Sequence, residues 1–200
     1  EKGRSVLCRR DPDDKTASER GAVDVTPQES NVRTRVHEYG GKASVVGVDD
    51  AGDEFIIYAN FADQRLYRVA VSGGEPTPLT PESESFPTDA LYRFADFQLD
   101  LKRNRMLCVR EDHSDPRPVA VKNTVVAVSL DGSGALEVLD EGSDFYAAPR
   151  MSPDGTKLAY VMWDHPNMPW DDTTLKVVAL DPDSGLPSTT DSAVHDSVAG

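Results

Sequence analysis

The sequence predicts an all-β fold, a partial β-propeller of about three four-stranded antiparallel blades with a remnant strand ahead of them. Three observations carry that reading. Apolar runs recur as Phe55-Ile-Ile-Tyr-Ala-Asn60, Met106-Leu-Cys-Val-Arg-Glu111 and Leu158-Ala-Tyr-Val-Met-Trp163, starting 51 and 52 residues apart, close to the period of about forty to fifty residues found in propeller blades. A second run follows each: Arg65-Leu-Tyr-Arg-Val-Ala-Val71, Thr124-Val-Val-Ala-Val-Ser-Leu130 and Thr174-Leu-Lys-Val-Val-Ala-Leu180. No stretch carries a convincing amphipathic helical period, and Gly-containing turns punctuate the runs, so groups of short strands favour a propeller over a sandwich.

In chain order, Ser5-Val-Leu-Cys-Arg-Arg10 reads as a strand, and its Leu-Cys-x-Arg pattern returns at Leu107-Cys-Val-Arg110. The first 30 or so residues are therefore expected to be a remnant of an earlier blade. The blades follow at about 36–80, 91–140 and 144–190, so that 1–200 form one partial propeller domain. Each opens with an inner strand, at 43–48, 93–99 and 145–151. Turns at Ser72-Gly-Gly74 and Asp131-Gly-Ser-Gly134 lead to short outer strands at 76–79 and 135–139. Asp181-Pro-Asp-Ser-Gly185 is the equivalent third turn, but its outer strand is not defined by the sequence. In Ser152-Pro-Asp-Gly155, Pro presets φ and Gly accepts a positive φ, the chemistry of a tight reversal. Polar stretches at 11–26, 81–88 and 112–122 read as surface loops, and 188–200 is expected to fray. Three blades cannot close a ring, so further blades are expected elsewhere and the chain is expected to be a piece of a longer protein.

Composition excludes several functions. With 200 residues, 38% of them hydrophobic, the chain can bury a core, while a net charge of −14 argues against nucleic-acid or anionic-membrane partners. No run reaches the length of a membrane span, and no secretory leader is visible at the start. Cys8 and Cys108, the only cysteines, both lie in strand-like runs and are expected to be buried free thiols. That points weakly to a reducing, cytoplasmic setting.

Catalytic motifs are missing. The chain has no Gly-x-Ser-x-Gly elbow, no Gly-x-Gly-x-x-Gly or phosphate-binding loop, and no His-Glu-x-x-His helix, so no catalytic residue, cofactor or metal is expected. His37 and Glu38 would point to opposite faces of a regular strand, which argues against a paired acid and base. His113 reads as a solvated loop histidine. Asp49, Asp50, Asp53 and Glu54 lack calcium-loop spacing and read as a hairpin turn. Two prolines stiffen the loop between Trp163 and Trp170, where aromatic and polar groups mix as on a recognition surface; packing of both indoles between blades is the equal alternative.

Asn31-Val-Arg-Thr-Arg-Val-His-Glu-Tyr-Gly-Gly41, Ala59-Asn-Phe-Ala-Asp-Gln-Arg-Leu-Tyr-Arg68, Val109-Arg-Glu-Asp-His113 and Trp163-Asp-His-Pro-Asn-Met-Pro-Trp-Asp171 together resemble the N-terminal propeller of prolyl oligopeptidase family serine peptidases. The acylaminoacyl-peptidase-like or dipeptidyl-aminopeptidase-like branch is the nearest in pattern. The resemblance spans nearly the whole chain, and 163–171 is its most specific part. It implies a C-terminal α/β-hydrolase domain, absent from this chain, that carries a Ser-Asp-His triad. It also implies that the propeller gates that site and selects short peptides. A stand-alone propeller that binds a protein partner without an enzyme is the alternative; a glycosidase or lyase is weaker, since no matched carboxylate pair stands out. By meander topology His37, Glu38, Tyr39, Tyr146, His165, Asn167 and Trp170 are expected on one face, towards a domain or substrate, with the plain turns at 49–52 and 152–155 on the other.

Overall fold

The computed structural model describes residues 3–10, 22–81, 91–115 and 117–196, with side chains to Ser188. The expected loops at 11–21 and 82–88 and the last four residues lie outside them. Strands β1 (Cys8–Arg9) and β2 (Val23–Asp24) pair as a short antiparallel ribbon. Three four-stranded antiparallel meanders follow. The first comprises β3 (Ser44–Val48), β4 (Glu54–Ala59), β5 (Leu66–Ala70) and β6 (Thr77–Pro78). The second comprises β7 (Tyr92–Asp100), β8 (Arg105–Asp112), β9 (Lys122–Ser129) and β10 (Leu136–Glu141). The third comprises β11 (Phe145–Met151), β12 (Lys157–Trp163), β13 (Thr174–Leu180) and β14 (Pro187–Asp196). Among the described residues the only helical pieces are single 3-10 turns at Leu101–Arg103 and Pro118–Ala120. The chain is thus all-β, in the arrangement of a partial propeller.

The second strands are apolar without alternation because both of their faces are covered. Along β4, Phe55, Ile57 and Ala59 pack towards the second sheet, while Ile56 and Tyr58 meet Val25, Val32 and Val69 on the side of the N-terminal segment. Along β8, Met106 and Cys108 face the first sheet, and Leu107 and Val109 face Leu158, Tyr160 and Val178 of the third. The sheets stack in chain order, and neighbouring sheets share buried apolar clusters. Gly47 serves this stacking: a Cβ there would stand 2.5 Å from Leu99 and 2.6 Å from Phe55, so the inner strand passes only without a side chain.

Two polar ties lock the sheets together. Asp96 sits in a bulge of β7 at φ 62, and Ala148 occupies the corresponding bulge of β11 at φ 51. The Asp96 carboxylate accepts the Lys42 and Ala148 backbone N–H groups at 3.0 and 2.8 Å, joining all three inner strands. At the opposite end Asp100, 1% exposed, accepts from Arg103 and Arg105, each at 2.9 Å. Those guanidiniums reach across to the Pro182 and Gly185 carbonyls of the third sheet at 2.9 and 2.7 Å. Gly185 has φ +65 and leaves no room for a Cβ beside Arg105.

The plain turns are self-contained. Asp49 accepts the Ala51 and Asp53 N–H groups at 3.1 and 3.0 Å and pairs with Arg68 at 2.9 Å. Asp154 accepts the Ser152 and Thr156 hydroxyls and the Thr156 N–H, which together hold its carboxyl down to about 2.

Three expectations need correction. Residues from Ser188 to Asp196 do not fray: they belong to β14, which pairs with β13 and supplies the outer strand the sequence left undefined. Cys8 is exposed, because a two-residue ribbon covers neither of its faces. Cys108 is buried, and burial pushes its thiol pKa up. The 112–122 stretch is less of a loop than expected, since β8 runs to Asp112 and β9 starts at Lys122.

Candidate functional site

The inner strands β3, β7 and β11 run in the same direction, so the segments before them gather at one end of the stack with the β8–β9 and β12–β13 loops. We call this end the upper rim. The reversals at 49–53, 101–104 and 152–156 lie at the other end.

The turn from Val36 to Tyr39 organises the upper rim. His37 and Glu38 are not in a strand at all: both have positive φ, 54 and 63, so the expected divergence of their side chains across a strand does not apply. The left-handed turn sends His37 past the second sheet to the third. Its imidazole packs edge-on against Trp163 at 5.3 Å and Phe145 at 5.6 Å, with Tyr39 at 5.6 Å. Phe145 and Trp163 are directly opposite in the β11–β12 ladder and stack at 5.3 Å; His165 meets the far edge of Phe145 at 4.9 Å. Burial holds the His37 pKa below its ordinary range, against the upward pull of Glu111 and Asp96. Its Nε2 is enclosed without a hydrogen-bond partner among the described residues.

Beneath the aromatic group lies a buried ion network. Glu111 is 4% exposed, and its Oε1 accepts the His37 backbone N–H at 2.6 Å while its Oε2 meets His113 Nε2 at 3.0 Å. Arg93 stands 3.8 Å from the same Oε2, and donates to Glu38 at 2.6 Å and to the Arg35 carbonyl at 3.1 Å. His113 is therefore not a solvated loop residue: its side chain is 16% exposed and bonded to a buried carboxylate.

The loop after β12 is set by a reciprocal pair of acids. Asp164 accepts the Asp144 N–H at 2.7 Å, and Asp144 accepts the His165 N–H at 2.9 Å. Asn167 donates its backbone N–H to the Asp164 carbonyl and is half-buried. Trp170 stands 75% exposed, near Met168 at 40%.

The structure thus brings His37, Glu38, Tyr39 and His165 together and puts Asn167 and Trp170 on the adjoining loop. Tyr146 does not join them. It is 1% exposed and packs with Tyr160 in the core, since the alternation of β11 turns Phe145, and not Tyr146, towards the rim. Burial is the main cause of its phenol being pushed up to about 12. Sequence reasoning missed Arg93, Glu111 and Phe145, whose roles come from contacts between sheets. It also missed a second upper-rim feature: Arg33 and Arg35 lie over the Phe61 ring, at 4.8 and 4.5 Å from its centre.

Among the described residues no Ser, Thr or Cys side chain of this rim is hydrogen-bonded to a histidine, and no group of three or more His, Cys, Asp or Glu side chains could hold a metal. What the rim offers is binding chemistry: aromatic faces, exposed carboxylates at Glu38, Asp144 and Asp164, and the cations Arg33 and Arg35. No described helix is long and apolar enough to cross a membrane.

No protein-family model matches the chain, and no curated protein matches it either. Solved structures do. The chain is 34% identical to a puromycin-hydrolysing peptidase of Mycobacterium tuberculosis, with a TM-score of 0.74, over 88% of this chain and 26% of that one. It is 34% identical to a puromycin hydrolase, with a TM-score of 0.79, over 96% and 28% of the two chains. A serine-to-alanine variant of puromycin hydrolase complexed with PGG matches at 32% identity and a TM-score of 0.80, over 97% and 29%. The chain therefore spans little more than a quarter of the length of the peptidases it resembles.

Proposed function

We propose that this chain, which is similar to puromycin hydrolases, is the propeller part of a serine peptidase of the prolyl oligopeptidase family that gates access to a catalytic site and selects short peptides. The family resemblance read from the sequence is borne out by the matched peptidases. The observation that carries the proposal is the match itself: 32–34% identity along nearly all of this chain, confined to 26–29% of enzymes whose names state hydrolysis. Catalysis is assigned to an α/β-hydrolase domain C-terminal to this segment, since no Ser, Thr or Cys side chain of the described rim is hydrogen-bonded to a histidine. Short peptides are the proposed substrates, and the acylaminoacyl-peptidase-like or dipeptidyl-aminopeptidase-like branch is the proposed one. Further blades would cover the sheet faces that leave Val46, Val48 and Leu175 exposed at 61, 50 and 42%.

The upper rim is the surface assigned to the catalytic domain or the peptide. Tyr39, Val119, Met168 and Trp170 put four of the exposed large apolar side chains there, the mixture of aromatic anchors and polar neighbours found at interfaces. In the complete protein, Trp170→Ala should lower kcat/KM for peptide hydrolysis about tenfold or more, the loss of an interface anchor, while leaving stability within about 0.5 kcal/mol. Asp154→Ala, on the opposite rim, should leave kcat/KM unchanged. Steady-state kinetics on both variants check this, and an Asp154 variant impaired as much as the Trp170 variant would invert the assignment of faces.

A further inference from the structure

The pair Arg33 and Arg35 is not used by anything described so far. Arg33 is exposed and Arg35 half-buried, and among the described residues neither guanidinium has an ion pair or a side-chain hydrogen bond, in a chain of net charge −14. Elsewhere on the upper rim Arg93 is paired with Glu38 and Glu111, and Arg117 with Asp115. Even the acid on the same loop is committed elsewhere: Asp63 accepts the Tyr67 hydroxyl at 2.7 Å, the Asn60 amide at 3.1 Å and the Arg65 backbone N–H at 3.1 Å.

The platform beneath the two arginines is rigid. Gln64 is 1% exposed; its Oε1 accepts the Arg35 N–H at 2.8 Å, and its Nε2 donates to the Phe61 carbonyl at 3.0 Å. One buried amide thus ties the backbone of an arginine to the backbone of the ring below it. Phe61 donates its N–H to the Asn31 carbonyl at 2.8 Å, and Arg33 donates its own to the Ala59 carbonyl at 3.2 Å. Stacking over a phenyl face steadies a guanidinium without using any of its N–H groups. Among the described residues the two planar forks keep their donors unpaired, and planar forks match a carboxylate in bidentate geometry.

We propose that Arg33 and Arg35, seated on Phe61, bind the C-terminal carboxylate of a short peptide substrate. The inference rests on the peptidase reading above and adds to it the end of the substrate that is recognised. A terminal carboxylate is present on every short peptide whatever its sequence, so a fixed pair of forks selects for chain length without selecting for side chains. The turn that Arg35 leads into joins this platform to the aromatic group: Glu38 donates its N–H to the Arg35 carbonyl at 2.9 Å, and Tyr39 packs against His37 at 5.6 Å.

The test uses the complete protein and a tripeptide analogue with a reduced scissile bond, prepared as the free acid and as the C-terminal amide. Calorimetric titration should show the acid binding about tenfold or more tightly than the amide, the scale of a charge-assisted hydrogen bond. In the Arg33→Gln/Arg35→Gln double variant that preference should vanish, with the amide binding as before. Arg35→Lys, which keeps the charge and loses the fork, should retain only part of it. Equal binding of acid and amide to the unaltered protein overturns the assignment while leaving the peptidase reading intact, provided the parent peptide is hydrolysed. Equal weakening of both forms in the double variant also overturns it and assigns the arginines to docking against another domain. If neither form binds and no peptide is hydrolysed, the peptidase reading falls and this inference falls with it.

Discussion

Replacing Asp100 by alanine should destabilise the fold by about 3–5 kcal/mol, the cost of removing one partner from a buried ion network. Asp100 is 1% exposed, and the two guanidiniums it holds are 7 and 8% exposed. Without it Arg103 keeps only carbonyl acceptors, and Arg105 keeps the Gly185 carbonyl and a looser contact with the half-exposed Glu137 at 3.5 Å. The same arginines carry the lower tie to the third sheet, so the loss spreads beyond the 3-10 turn at Leu101–Arg103. Urea unfolding of the Asp100→Ala variant measures it. A change within about 0.5 kcal/mol would show that the cluster is no more than a surface ion pair.

Glu111→Ala should cost a similar amount, about 3–5 kcal/mol, and should also disorganise the upper rim. This carboxylate is the acceptor for the His37 N–H and for His113, and it stands against Arg93, whose side chain is 10% exposed. The turn that carries His37 and Tyr39 would lose its anchor on β8, and His37 would loosen from Trp163. Trp163 is 6% exposed, so its fluorescence should shift to the red in the folded variant. Glu111→Gln keeps an acceptor for the His37 N–H, so it should preserve the emission while losing part of the stability. An Ala variant with unshifted emission and unchanged urea midpoint would remove Glu111 from the role assigned to it.

How far these features were legible in the sequence follows from where their causes lie. The meanders were legible because the apolar runs are local and strictly repeated: a second strand covered on both faces must be apolar at every position, as in Met106-Leu-Cys-Val109. Asp49 and Asp154 were legible as turns for the same reason, since each satisfies backbone groups within four residues of itself. The outer strand β14 was not, because Pro187 to Asp196 carry a polar pattern, and their pairing with β13 is set by register across the sheet. Cys8 was misjudged because a strand-like run says nothing about whether another layer covers it. The site was legible only in part. His37, Glu38 and Tyr39 stood out as a motif, but their arrangement depends on Glu111 and Arg93, which lie 74 and 55 or more residues away in contacts no local pattern encodes. Tyr146 was assigned to the rim from its place at the start of β11, and its burial against Tyr160 comes from packing between sheets that loop topology does not encode.

The central claim is that this chain is the non-catalytic propeller of a serine peptidase, and labelling tests it most directly. The complete protein would be treated with a fluorophosphonate probe, digested, and the modified peptide identified by mass spectrometry, alongside an assay for hydrolysis of short peptides. The account predicts one labelled serine, loss of peptide hydrolysis in step with labelling, and a modified residue outside positions 1–200. Stoichiometric labelling of a serine within these 200 residues, or peptide hydrolysis that persists after complete labelling, would contradict it.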